Sequence, residues 1–170
     1  MKNDAHLLLC HPDIQGPFME LLDAMFGHGF KLRIVWSHRT KAEQALMVAN
    51  KVSNDLFSMH NCTVPIGTPA SLAIDVVDKA KGYAEDPTMY ATLAVEAYRA
   101  GLMTGLLFGL PSALKIARQD AINAGRINQL AALIDPEENG KRGFDPLHVQ
   151  CGRDLYLKIR ASLEEDPSWP

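Results

Sequence analysis

The sequence predicts an α+β domain, a small and mainly antiparallel sheet with helices packed around it. Strand-like and helical runs are interleaved without the regular β–α–β alternation of a doubly wound sheet. The chain also has 170 residues with no repeat, low-complexity segment or dividing linker, so residues 1–170 are expected to form a single domain. That length buries a core without help from disulfides or metals. At 47% hydrophobic and 22% charged, with a mean hydropathy of -0.07, the chain reads as globular rather than disordered or fibrous.

The elements follow in order. Phe18, Leu21, Leu22, Met25 and Phe26 recur at helical spacing and predict a helix over 17–26, with Pro12 and Pro17 at its start and Gly27 and Gly29 ending it. Residues 31–36 alternate polar and apolar, as a half-buried strand does. Thr40 followed by Glu43 is a capping box for the next helix, whose buried side is expected to carry Ala42, Leu46 and Val48 or Ala49. Residues 50–69 read as irregular. Leu72-Ala73-Ile74-Asp75-Val76-Val77 is a short apolar run, expected to be a buried strand. Asp86-Pro87 opens a helix ended by Gly101, and a second helical stretch runs from Pro111 to about Leu133, bent at Gly125. The whole interval of about 86–134 reads as a helical insertion. A polar loop over 136–143, a strand over 147–151 and a terminal helix over 154–164 complete the chain.

Charge and cysteines narrow the function classes. The net charge is -3 and the basic residues are scattered, so no basic face advertises nucleic-acid binding. Cys10, Cys62 and Cys151 are widely spaced and odd in number, which suggests neither a disulfide framework nor a zinc knuckle. The longest uncharged run, Ala100 to Leu114, is broken by glycines and a proline and is shorter than the roughly 20 residues that span a bilayer. No signal peptide is read at the N-terminus, so synthesis in the cytoplasm is expected.

Asp75 is the most informative residue. A carboxylate inside an apolar run is costly unless paired, hydrogen-bonded or metal-bound; the alternative is a strand-edge Asp facing solvent. Among the six histidines, His60 and His148 stand out by their neighbours, Ser58-Met59-His60-Asn61 and Asp145-Pro146-Leu147-His148. Two histidines, one carboxylate and an open position make a catalytic zinc site, although spacing alone does not bring these three together.

Four pieces in succession carry a resemblance over residues 11–150: Ser37-His38-Arg39-Thr40-Lys41-Ala42-Glu43-Gln44, Ser58-Met59-His60-Asn61, Leu72-Ala73-Ile74-Asp75-Val76 and Asp145-Pro146-Leu147-His148-Val149-Gln150. In their order they resemble the zinc D-Ala-D-Ala carboxypeptidase and L-alanyl-D-glutamate endopeptidase family, which includes phage endolysins and shares its fold with the Hedgehog signalling domain. The resemblance implies that fold, Zn2+ held by His60, Asp75 and His148, Asp145 as general base, and Arg39 on the substrate side, gripping a peptide carboxylate or a developing oxyanion. Asp145-Pro146 read by itself is a turn, and Arg39 read by itself starts a helix. Gln44 is expected to support the fold, and Cys62 to be a buried thiol rather than a ligand. Two departures stand out: 14 residues separate His60 from Asp75, more than in the family's commonest form, and the base position holds Asp instead of the usual Glu.

The resemblance thus implies a zinc peptidase acting on bacterial peptidoglycan stem peptides, a phage or prophage endolysin that reaches the cell wall after release, most simply as a monomer. The competing readings are a non-catalytic phage structural component that keeps the fold, and a non-haem iron oxygenase built on the same ligand types. The second is disfavoured because such enzymes place the first histidine and the acid close together on one strand.

Overall fold

The computed structural model describes residues 2–51, 53, 58–83, 86–135 and 145–164. Helices α1 (Lys2–Leu7) and α2 (Pro12–Gly27) lead into strand β1 (Leu32–Trp36) and helix α3 (Lys41–Ala49). A short hairpin, β2 (Thr63–Val64) and β3 (Thr68–Pro69), precedes β4 (Ala73–Asp78). Helix α4 (Pro87–Arg99), strand β5 (Leu102–Gly105), helices α5 (Ser112–Asn123) and α6 (Ile127–Ala132), strand β6 (Asp145–Cys151) and helix α7 (Arg153–Ile159) follow. The main sheet has the order β1-β4-β6-β5, and every neighbouring pair in it is antiparallel. The fold class is therefore the expected α+β.

Helix α2 starts five residues before the expected point. Pro12 occupies its first turn, the His11 ring accepts from the Asp13 N–H, and Pro17 is absorbed inside the helix. The reason is the buried stripe, which begins at Ile14 and continues through Phe18, Leu21 and Met25, all fully buried; Phe26, counted in the sequence pattern, is exposed.

The centre of the sheet is β4, where Ala73, Ile74, Val76 and Val77 are fully buried, as expected of a strand covered on both faces. Helix α4 buries every residue from Met89 to Ala97, as a helix packed on several sides must, and it touches α2, α5, α6, β5 and β6. The interval 86–134 is not helical throughout: it also supplies β5, an edge strand of the main sheet. Gly125, with φ +65, divides α5 from α6 where the bend was expected.

Helix α3 forms behind the full capping box of Thr40 and Glu43, but its buried side differs from expectation. Leu46 is 63% exposed, Ala42 is exposed and Val48 is half-buried; the side chain taken inside is Gln44. The irregular segment after it holds the β2–β3 hairpin, whose base is closed by Ala70 N–H donating to the Cys62 carbonyl at 2.9 Å. At its tip Ile66 has φ +76 and is 99% exposed. Glu164 grips this hairpin, its carboxylate accepting from Thr63 Oγ1 at 3.0 Å and from Gly67 N–H at 3.2 Å. The polar loop expected over 136–143 lies outside the described residues.

Candidate metal centre

The sheet register places two of the expected ligands side by side. Asp75 on β4 is paired with His148 on β6, and Trp36 on β1 is paired with Asp75. Directly opposed residues project from the same face, so Trp36, Asp75 and His148 form one row. His60 arrives from a single 3-10 turn, Met59–Asn61. Ser58 Oγ accepts from His60 N–H and Asn61 Oδ1 accepts from Ser58 N–H at 2.9 Å. Asn61 Nδ2 then donates to the Arg39 carbonyl at 2.6 Å, while Arg39 N–H donates to the His60 carbonyl at 2.9 Å and Leu72 N–H to the Met59 carbonyl at 2.8 Å. These bonds stitch the Ser37–Arg39, Ser58–Asn61 and Leu72–Asp75 pieces of the sequence into one site.

His60 Nε2 lies 3.2 Å from Asp75 Oδ1, His148 Nδ1 lies 3.0 Å from the same oxygen, and the two nitrogens are 3.2 Å apart. The far nitrogen of each ring is occupied. His60 Nδ1–H donates to the Ser37 carbonyl, and His148 Nε2–H donates to Gln150 Oε1 at 2.9 Å. Since a carbonyl oxygen only accepts, both far nitrogens carry the proton and both near nitrogens present lone pairs. Three lone-pair donors therefore converge, an arrangement that needs a proton or a cation between them. Tetrahedral zinc with bonds near 2.0–2.2 Å requires donors about 3.3 Å apart. The donor set fits that ion, and among the described residues it is the one group of His, Cys, Asp or Glu that could hold a metal.

With no cation between them, protons on the near ring nitrogens take its place and balance the Asp75 charge. Burial opposes ionisation of Asp75, yet the two facing imidazoles overcome it and hold the carboxyl well below the usual range. Burial likewise opposes protonation of His148, but Asp75 more than compensates and raises it. Asp75 Oδ2 faces Arg39 Nη2 at 3.5 Å. Arg39 is 8% exposed; its Nη1 donates to Gln44 Oε1 at 2.8 Å, and its Cζ sits 5.4 Å from the centroid of the Trp36 ring. Its Nε is buried without a hydrogen-bond partner among the described residues. Gln44 thus supports the fold, as expected, by holding Arg39 against Asp75.

Asp145 begins β6. Its Oδ1 accepts the His148 N–H at 3.2 Å. The residue is exposed, but the carboxyl group is folded back against the site. Desolvation there, with the Asp75 charge adding and the His148 imidazole opposing, raises its pKa above the ordinary carboxylate value. The Phe108 ring stands 6.0 Å from that of His148, centroid to centroid. Cys62 is a buried thiol outside the donor group. His6, His11 and His28 are engaged elsewhere, with Ser37 Oγ, Ser162 Oγ and Glu96.

Sequence reasoning missed Gln150, Ser37, Trp36 and Phe108. Gln150 had a usable signal: it lies two residues from His148 on one strand, hence on the same face, as a polar residue in an apolar run. Ser37 acts through its carbonyl, which no side-chain pattern records.

No family model and no curated protein matches the sequence. The fold does have a counterpart. The crystal structure of the Serratia marcescens L-Ala D-Glu endopeptidase ChiX matches with a TM-score of 0.53, at 18% identity, over 91% of this chain and 90% of that chain. At that identity the likeness is one of architecture: this chain has the α+β fold of that endopeptidase.

Proposed function

We propose that this protein is a zinc-dependent peptidase hydrolysing peptidoglycan stem peptides, with residues 1–170 acting as one catalytic domain. The observation that carries the reading is the convergence of His60 Nε2, Asp75 Oδ1 and His148 Nδ1 at 3.0–3.2 Å with both ring tautomers set. The likeness in fold to ChiX, an L-Ala D-Glu endopeptidase, supports the substrate class and favours the L-Ala-D-Glu bond over a terminal D-Ala. The ordered motifs support the phage or prophage lysin type.

In this reading His60, Asp75 and His148 hold Zn2+. When bound, zinc supplies Lewis-acid polarisation of an amide carbonyl and a water acidified toward neutrality. Asp145 takes the proton from the attacking water and returns it to the leaving amine, a role that its raised pKa favours. Arg39 keeps Asp75 oriented through Nη2, and in this reading its guanidinium is the substrate-side cation. Trp36 and Phe108 stand on either side of the donor group as walls for the peptide.

The test is turnover of a defined L-Ala-D-Glu-containing stem peptide by protein of known zinc content, with products identified by mass spectrometry. Cleavage at that bond is the expected result. Fully metallated protein that cuts neither this peptide nor a D-Ala-D-Ala peptide would overturn the reading.

A further inference from the structure

Along the β5–β6 ladder the pairs run Leu102 with Cys151, Met103 with Gln150 and Thr104 with Val149, then jump to Gly105 with Asp145. One step on β5 is answered by four on β6, so Pro146, Leu147 and His148 bow away from β5 as a bulge. Bulges near reactive sites re-aim side chains. This one lets the Asp145 carboxyl turn back to cap the His148 N–H; Pro146, lacking an N–H, gives up no ladder bond.

The bulge closes on Gly105. A Cβ placed there would lie 2.2 Å from the Asp145 carbonyl oxygen and 3.1 Å from Phe108 Cδ2. The first clash is with backbone, which cannot swing aside as a side-chain tip does. Gly105 has no positive φ, so the glycine is required for space and not for conformation.

We propose that Gly105 is a positioning residue: its missing side chain fixes where Asp145 stands beside the His60–Asp75–His148 group and thereby sets the rate of peptide hydrolysis. This rests on the reading of Asp145 as general base. The same strand pair provides its own control. A Cβ on Gly152 would lie 2.4 Å from the Gly101 carbonyl oxygen, an equivalent backbone clash at the opposite end of the β5–β6 pair. Gly152 is also free of positive φ, and it carries no site residue.

The experiment compares Gly105→Ala with Gly152→Ala in the full chain, measuring kcat and KM on the stem peptide, zinc affinity by chelator competition, thermal stability, and crystal structures. A misplacement of about 1 Å costs on the order of 10²-fold in turnover. Gly105→Ala is expected to lower kcat by about that factor, with KM and zinc affinity within roughly threefold of wild type. Its crystal should show the hydrogen bond from His148 N–H to the Asp145 carboxylate broken. Gly152→Ala is expected to keep kcat within about threefold and to preserve that hydrogen bond, at a similar loss of stability. Adding Asp145→Glu to Gly105→Ala should restore part of the turnover, because the longer side chain spans the displacement. Equal kcat losses in the two glycine variants, or an undisturbed Asp145 in the Gly105→Ala crystal, would overturn the proposal. If Gly105→Ala does not fold, Pro146→Gly in the same chain gives the bulge room to yield, and the same measurements apply. A wild type that cuts no stem peptide overturns the peptidase reading alone. The placement of Asp145 is then decided by the crystals. A hydrogen bond broken in Gly105→Ala and intact in Gly152→Ala supports the proposal, and one intact in both overturns it.

Discussion

Asp75 and Glu96 are both largely buried carboxylates that meet histidine and arginine, and they differ in what surrounds those partners. Glu96 Oε1 accepts from His28 Nε2 at 2.9 Å and from Arg99 Nη1 at 2.6 Å. The His28 and Arg99 side chains remain 41% and 57% exposed, so this is an ion-pair cluster at the surface, with donors pointing at an acceptor. At Asp75 the rings are buried, and each spends its proton on a carbonyl behind it, leaving lone pairs in front. Residue types alone would not separate the two clusters. The destination of the second ring nitrogen does, and it turns one into a candidate metal centre and the other into a tether between α2 and α4.

The contrast is broken most directly by removing a histidine from each cluster. His60→Ala or His148→Ala should abolish zinc retention and peptide turnover, whereas His28→Ala should leave both intact and cost no more than about 1 kcal/mol, the usual worth of an exposed ion pair. Metal analysis, turnover and denaturant melts on the same samples decide it. Loss of zinc in the His28 variant would erase the distinction.

Asp145→Asn sharpens the comparison by separating metal holding from proton transfer. It should keep zinc while lowering turnover by roughly 10²–10⁴-fold, the usual share of general acid–base catalysis. Near-wild-type turnover in the fully metallated variant would remove Asp145 from the mechanism.

The carbonyls behind the rings are tested by Gln150→Leu, which removes the acceptor of His148 Nε2–H. Loss of such an outer partner typically weakens metal affinity by about 10–100-fold, measurable by chelator competition. Unchanged affinity would mean that the tautomer is fixed without Gln150.

The comparison furthest from the metal-holding atoms comes from two buried thiols, Cys10 and Cys151. Desolvation pushes the Cys10 and Cys151 thiols up to about 12, against roughly 8.5 in an unfolded chain. A raised folded pKa contributes stability below the unfolded value and loses it as pH rises. Urea midpoints should therefore decline progressively between about pH 8.5 and 12, and less steeply in Cys151→Ala. An identical slope in that variant would contradict the assignment.

Those contrasts also mark what could be read from the chain alone. Asp75 in an apolar run and the order of the four motifs brought the ligands to notice, and Thr40 with Glu43 announced the start of α3, because each signal is local. The buried face of α3 was not legible: Leu46 is exposed and Gln44 inside because Arg39, held over Asp75, supplies a polar partner that helical periodicity cannot know about. Strand β5 was hidden between two helices, since four residues are too few to show alternation. The bulge at Gly105 is a property of two strands in register and has no signature in either one.

The β2–β3 hairpin has a consequence for tinkering with the molecule. The chain leaves at Cys62 and returns at Ala70 across a single 2.9 Å hydrogen bond, so the path length between His60 and Asp75 is uncoupled from their separation in space. Residues 63–69 should therefore tolerate exchange, at the cost of their hydrogen bonds to Glu164. Lengthening such an excursion costs little, about 0.6 kcal/mol for each doubling. A reporter peptide or affinity tag spliced at Ile66, already 99% exposed, should leave the ion-holding atoms where they are and disturb only the grip of Glu164.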